Sequence, residues 1–202
     1  MSLVNLEKNV ENFLKELVEI VGKNFVTTDK KECEFFSSDI FYFSNNPAKI
    51  VVSPGSAAEV CKVLKTASIF EYDTIPRGGG MSYTGGYKPV NSNSIILNMQ
   101  RLNSILEINE EDMYVTVECG VTWKDLYETL KKKGLRTPYF GPFSGMHATV
   151  GWALSQNSIF YGSSIHGTAA DAVLALEIAL PNGKIVKTGS ASNIQSPTPF
   201  FR

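Results

Sequence analysis

Residues 75–86 read Ile-Pro-Arg-Gly-Gly-Gly-Met-Ser-Tyr-Thr-Gly-Gly, so five of the last nine positions are glycine in a chain with 16 glycines among 202 residues. Consecutive glycines after a buried strand let the backbone take positive φ and turn several N–H groups toward one point, a nest for an anion. A residue with a side chain forced into that conformation costs roughly 1–2 kcal/mol. A tight turn with no ligand is the plainer alternative, but such a turn needs one or two glycines, not a run that also carries the Ser82 and Thr84 hydroxyls. Two phosphate motifs are excluded. Gly80 and Gly85 have the spacing of a Walker loop, yet Gly86 stands where its lysine belongs, and the dinucleotide pattern G-x-G-x-x-G fails because Tyr83 follows Gly78 and Gly80 at its third position. Lys88, Pro89 and the Asn/Ser cluster after them cannot open a helix. What remains is strand, loop, strand, with phosphate held by loop amides and not by a helix N-terminus.

The other residues capable of chemistry are sparse. His147 and His166 are the two histidines, with no third ligand at metal spacing, so no metal site is expected. Glu110, Glu111 and Asp112 are clustered carboxylates on a predicted turn, where solvation explains them. Cys33, Cys61 and Cys119 lack CxxC spacing and read as reduced packing residues. With 19 basic against 20 acidic residues and a net charge of -1, the chain has no long-range attraction for a polyanion, and nucleic acid is not expected as a partner. Apolar residues at 43% support a folded core. No apolar run is long enough to span a membrane and no signal peptide is legible, so a cytoplasmic location is the expectation.

These residues need elements to position them. Leu6, Val10, Phe13, Leu14, Leu17, Ile20 and Val21 recur at helical spacing up to Gly22, an amphipathic helix in need of a partner, this domain or a second subunit. Residues 27–47 show no sustained period and read as a partly ordered linker, with the aromatic run "FFSSDIFYF" packing against the domain C-terminal to it. "AKIVVSP" is a buried strand, and Ser56 with Glu59 forms a capping box for a helix to about Phe70. "DTIPR" and "SIILNM" are strands either side of the glycine loop, and "SILEI" with "MYVTVE" forms a hairpin. Residues 122–133 are helical, with Gly134 ending the helix. A Pro/Gly loop precedes a short helix in "TVGWALSQNS", and the strands "AVLALEIAL" and "KIVKT" flank Pro181-Asn182-Gly183. The fold class is α+β, or α/β of irregular connection.

"KIVVSPGSAAEV", "IPRGGGMSYTGG", the long run from "SIILNM" to "KKKGL", "ATVGWALSQNS" and "HGTAADAVLALEIALPNGKIVKTG" occur in this order over residues 49–189. Together they resemble the flavoenzymes related to vanillyl alcohol oxidase, with an FAD-binding domain of the PCMH type. The resemblance implies a two-lobed α+β domain of mixed sheets flanked by helices, over residues 47–202 and truncated at its C-terminal end, with residues 1–46 as a helix and linker. It implies FAD between the lobes, its pyrophosphate on the glycine loop, and hydride transfer to the flavin from an alcohol, a 2-hydroxy acid or a phenol.

By the same resemblance, Arg77, Gly78, Gly79, Gly80, Met81, Ser82, Gly85 and Gly86 line the pyrophosphate. Pro142, Ser144, His147, Ala148, Thr149 and Gly151 pass the isoalloxazine or ribityl chain, Ser155 and Asn157 are further contacts, and Ile178 is on the adenine side. Amides, hydroxyls and small residues suit those roles. Trp152 departs from the second glycine common in relatives. Some relatives link FAD to a histidine in R-x-G-G-H-S; Met81 stands at that position, so FAD is expected to be non-covalent at this loop. His147 reads as a flavin contact or polar packing group in preference to a base, His166 as a turn residue, and Tyr161 as packing. The substrate-binding cap domain of relatives, which usually supplies the catalytic base, is missing from this chain, so no catalytic residue is assigned. A flavin-binding fragment without turnover and a reductase of the cell-wall-precursor type are the alternatives.

Overall fold

The computed structural model describes residues 3–91, 93–138, 141 and 143–189, residues 3–8 by backbone alone. These form two compact units, one of the described residues up to Arg101 together with Ala179–Ile185, the other of Leu102–Ile178 with the described residues from Val186 onward.

In the first unit, α1 (Leu3–Val21) buries Phe13, Leu17 and Val21, a single stripe at steps of four, and stops at Gly22 with φ +89°. The partner for its apolar face is α3 (Ala57–Ile69) of the same unit. The Phe13 ring stacks on Tyr72 at 4.3 Å between centroids and lies 5.1 Å from Phe70. Ser56 caps α3 by accepting from the Glu59 N–H at 3.2 Å. Glu59 does not complete a box at Ser56; its carboxylate accepts from the Gly55 N–H at 2.8 Å.

The sheet runs β1 (Val26–Thr27), β2 (Ile50–Val52), β4 (Ser94–Asn98), β3 (Asp73–Arg77). β1 is antiparallel to β2, and β2, β4 and β3 are mutually parallel. β2 and β4 are buried along their whole length, as expected of parallel strands covered on both faces. β3 and β4 are consecutive in the chain, adjacent in the sheet and parallel, yet residues 78–93 between them hold no helix among the described residues. A parallel pair cannot be joined by a tight turn, because the chain must travel back the length of the strand. That removes the turn-only explanation of the glycines.

The segment expected as a linker is ordered otherwise. It carries β1 and a helix, α2 (Lys30–Phe36), capped by Asp29, whose Oδ1 accepts from the Glu32 N–H at 3.0 Å. Cys33 is the residue α2 buries, so a helix this short leaves no apolar period to read. The aromatic run packs only in part: Phe35, Phe41 and Phe43 are largely exposed.

The second unit opens with β5 (Ile105–Asn109) and β6 (Tyr114–Val117), the expected antiparallel hairpin, with a register irregularity between Ile105 and Glu107. At its turn Glu111 and Asp112 N–H groups donate to Asn109 Oδ1, and Glu110 pairs with Lys133, in keeping with a solvated turn. α4 (Trp123–Lys131) is capped by Thr122 and terminated at Gly134, φ +72°. Trp123, Leu126 and Leu130 pack with Val121, Val150 and Ala153 into one core, the last two from α5 (Val150–Ser155). The nine-residue strand expected before Pro181 is mostly absent. A 3₁₀ turn (Ala169–Ala172) takes its start, only β7 (Glu177–Ala179) is extended, pairing with β8 (Ile185–Lys187), and Leu174 is exposed. Strand propensity counts for little where the side chains are not packed against a sheet face. α6 (Ser163–His166) lies in between, and His166 is its last residue. Among the described residues no helix is long and apolar enough to cross a membrane.

We predict that Phe13→Ala lowers the unfolding free energy by about 3–5 kcal/mol in a denaturant titration. A loss below about 1 kcal/mol would show that α1 is not part of the core.

Candidate functional site

The glycine loop leaves β3 at its carboxyl end, the end at which parallel sheets bind ligands. Arg77, the last residue of β3, is only 5% exposed. Its guanidinium lies 4.8 Å from the Phe36 ring, 5.2 Å from Tyr87 and 5.4 Å from Phe35, a cation in an aromatic cage. Its Nε is buried with no hydrogen-bond partner. Burial lowers the guanidinium pKa, opposed by the neighbouring Tyr87, but an arginine does not deprotonate in a protein. The guanidinium also fills the space beside Gly80: a Cβ there would lie 2.9 Å from Arg77 Cζ and closer still to Nη2. Gly80 is therefore favoured by conformation, at φ +79°, and a Cβ there would have to displace the Arg77 guanidinium.

The return arm of the loop is held by a residue that the sequence reading missed. Asp39, 8% exposed, accepts at Oδ1 from the N–H groups of Phe41 (2.8 Å) and Tyr42 (2.5 Å) and at Oδ2 from that of Gly85 (2.7 Å). Burial works to raise its pKa, but the hydrogen bonds from Tyr42, Phe41 and Gly85 and from the Ser82 hydroxyl outweigh it and hold the carboxyl below its ordinary 3.8. Ser82 is buried, its Oγ 3.2 Å from Thr84 Oγ1. No motif announces Asp39; the only signal is an acidic residue among aromatics.

The backbone N–H groups of Gly78, Gly79, Gly80 and Met81 have no acceptor among the described residues. Gly78 is buried and the other three half-buried. An unpaired amide on a buried residue such as Gly78 costs about 1–3 kcal/mol, and four unpaired amides on one loop, with a buried cation beside it, fit a bound oxyanion. The Gly85 amide is already used by Asp39, and Gly86 is exposed.

The remaining predicted residues belong to the second unit, apart from Pro142, which lies outside the described residues. Ser144 O accepts from the N–H groups of His147 and Ala148, both at 2.9 Å, in a turn that leaves His147 exposed. Thr149 caps α5 and is 2% exposed, with no partner for its hydroxyl. Gly151 faces Cys119, whose Cβ would stand 2.5 Å from an added Cβ, so packing alone requires a glycine here. Ser155 Oγ donates to Gly151 O at 2.9 Å, and Asn157, at φ +48°, accepts from the Ala170 N–H at 3.1 Å. Ile178, in β7, is 40% exposed. Tyr161, expected to pack, is 75% exposed. A cleft of about 270 Å³ between Trp123, Tyr127, Arg136 and Phe143 is lined by none of the predicted residues. Burial pushes the Cys33 and Cys119 thiols up to about 11, so neither is a ready nucleophile. Among the described residues no cluster could hold a metal ion.

The family model of an FAD binding domain matches residues 48–189, and the chain belongs to that family. It is 33% identical to the glycolate oxidase subunit GlcD of Bacillus subtilis over 139 residues, 69% of this chain and 29% of that protein. It is 30% identical to the mitochondrial D-lactate dehydrogenase [cytochrome] of Arabidopsis thaliana, over 91% of this chain and 32% of that one. The chain thus spans about a third of the length of these relatives. Its fold is that of an alkyldihydroxyacetonephosphate synthase (TM-score 0.79, 23% identity, 92% of this chain and 36% of that one). It is equally that of the 4-ethylphenol oxidase of Gulosibacter chungangensis (TM-score 0.77, 22% identity, 94% and 36%).

The Asp39 geometry makes a pH prediction. A carboxyl whose folded pKa is depressed contributes stability above its unfolded value and loses it as pH falls through the folded one. We predict that Asp39→Asn destabilises the protein at neutral pH and that its deficit shrinks below pH 3.8, followed by urea unfolding. A deficit independent of pH would contradict this assignment.

Proposed function

We propose that this chain is the FAD-binding portion of an oxidoreductase that acts on a 2-hydroxy acid. The observation that carries the cofactor part is the row of unpaired amides at residues 78–81, on a loop inside the matched family region. In this reading those amides, with Arg77 beside them, hold the diphosphate, and Gly80 keeps the loop open to it. Loop amides neutralise a diphosphate without exposed cations, which suits a chain of net charge -1. Ser144, His147, Ala148, Thr149, Gly151, Ser155, Asn157 and Ile178 are the proposed contacts to the remainder of the cofactor. The unpaired Thr149 hydroxyl is the best supported of these, a buried group in want of a partner. Bound FAD supplies the acceptor for a hydride from the substrate carbon. The 2-hydroxy acid is favoured over an alcohol or a phenol by the relatives, which include the glycolate oxidase subunit, D-lactate dehydrogenases and a D-2-hydroxyglutarate dehydrogenase. A base and the substrate pocket are expected from sequence beyond the matched region.

Met81 offers no nucleophile for a flavin bond, so the cofactor at this loop is non-covalent in this reading. Purified apoprotein mixed with FAD is expected to turn yellow and, on denaturation, to release unmodified FAD. Anaerobic glycolate or D-lactate is then expected to bleach the holoprotein. A protein that stays colourless with added FAD overturns the cofactor reading. A flavin adduct on residues 77–86 by mass spectrometry overturns the non-covalent one, and uptake without bleaching leaves a flavin-binding module without turnover.

A further inference from the structure

Residues 82–85, the return arm of the loop, are tied at both ends to a segment that precedes the matched family region. The Ile40 N–H donates to Ser82 O at 3.3 Å, and Asp39 Oδ2 accepts from the Gly85 N–H at 2.7 Å. The other carboxylate oxygen of Asp39 is engaged by its own turn, through the Phe41 and Tyr42 amides, and the Asp39 N–H donates to Tyr42 O at 2.9 Å. The carboxylate cannot rotate away from Gly85 without disturbing three charge-assisted bonds together. The outgoing arm is braced from the same side of the sequence, since α2 supplies Phe35 and Phe36 to the cage around Arg77.

We propose that Asp39 is the positioning residue of the cofactor loop: its carboxylate takes the Gly85 amide and fixes the return arm, so that the unpaired amides of residues 78–81 are held ready for the diphosphate. The proposal rests on the FAD reading above. A negative charge beside a diphosphate site is tolerable because its oxygens already meet the Phe41, Tyr42 and Gly85 amides. Its benefit is pre-organisation, since a loop ordered before binding loses less entropy when the ligand arrives. Gly85 holds the clamp at φ +67°, a conformation that favours glycine.

Asp39→Asn is the test, because the amide keeps an oxygen for the Phe41 and Tyr42 N–H groups but presents an NH₂ to Gly85. On the full chain, FAD affinity is read by quenching of flavin fluorescence and the loop by amide NMR. The wild type is expected to show a downfield, exchange-protected Gly85 amide. D39N is expected to lose that signature and to bind FAD at least tenfold more weakly, while the β4 amides stay protected. Val63→Ala, a core change in α3 with a comparable loss of stability, is expected to bind FAD within threefold of wild type, which separates positioning from general destabilisation. D39N binding within threefold of wild type, or a wild-type Gly85 amide that exchanges as fast as that of exposed Tyr83, overturns the proposal. The wild-type measurement decides the clamp even if D39N does not fold. A wild type that takes up no FAD defeats the cofactor reading, whereas an unprotected Gly85 defeats the clamp.

Discussion

Two consecutive strands that lie side by side and point the same way impose the constraint on which the first unit depends. The chain leaving Arg77 must return the length of β3 before it can enter β4 at Ser94, and it does so without a helix among the described residues. A helix would pair its own peptide groups; an irregular crossing must find partners elsewhere or leave groups unpaired. Asp39 takes the Gly85 amide, Ser82 Oγ accepts from the Thr84 N–H, and Ser82 O accepts from the Ile40 N–H. Residues 78–81 are left over among the described residues, and the proposed cofactor site is built on that remainder.

The glycines divide by cause. Gly80 combines φ +79° with the Arg77 guanidinium beside it, Gly85 is set by its φ of +67°, and Gly151 yields space to Cys119. Each absence of a side chain has a local conformational or packing reason, so a glycine count alone overstates the surface offered to a ligand. The unpaired amide is the stricter criterion. It selects the stretch from Gly78 to Met81 and leaves out Gly85, which pattern alone had grouped with the rest.

Legibility followed the range of the interaction that makes each element. Helices α1, α3 and α4 were readable because their apolar stripes and caps are local, as were the hairpin of β5 and β6 and the positive-φ glycines Gly22 and Gly134 that end α1 and α4. β1 and α2 were not: one is two residues long and exists through pairing with β2, and the other buries little beyond Cys33. The apolar run before Glu177 misled in the opposite direction, since Leu174 and Leu176 are exposed and the strand is confined to Glu177–Ala179. At the site, the glycine loop was legible from composition. Asp39 was not, because its partner Gly85 is 46 residues away and nothing in either residue's neighbourhood encodes the pairing.

The central claim is that the unpaired amides of residues 78–81 hold the diphosphate of FAD. Titrating the ¹⁵N-labelled protein with FAD, and separately with riboflavin, which lacks the diphosphate, measures this directly. The account predicts that FAD moves the Gly78, Gly79, Gly80 and Met81 amide resonances strongly downfield while riboflavin leaves them in place. FAD that binds without shifting those four amides, or that shifts them no more than riboflavin does, would contradict it.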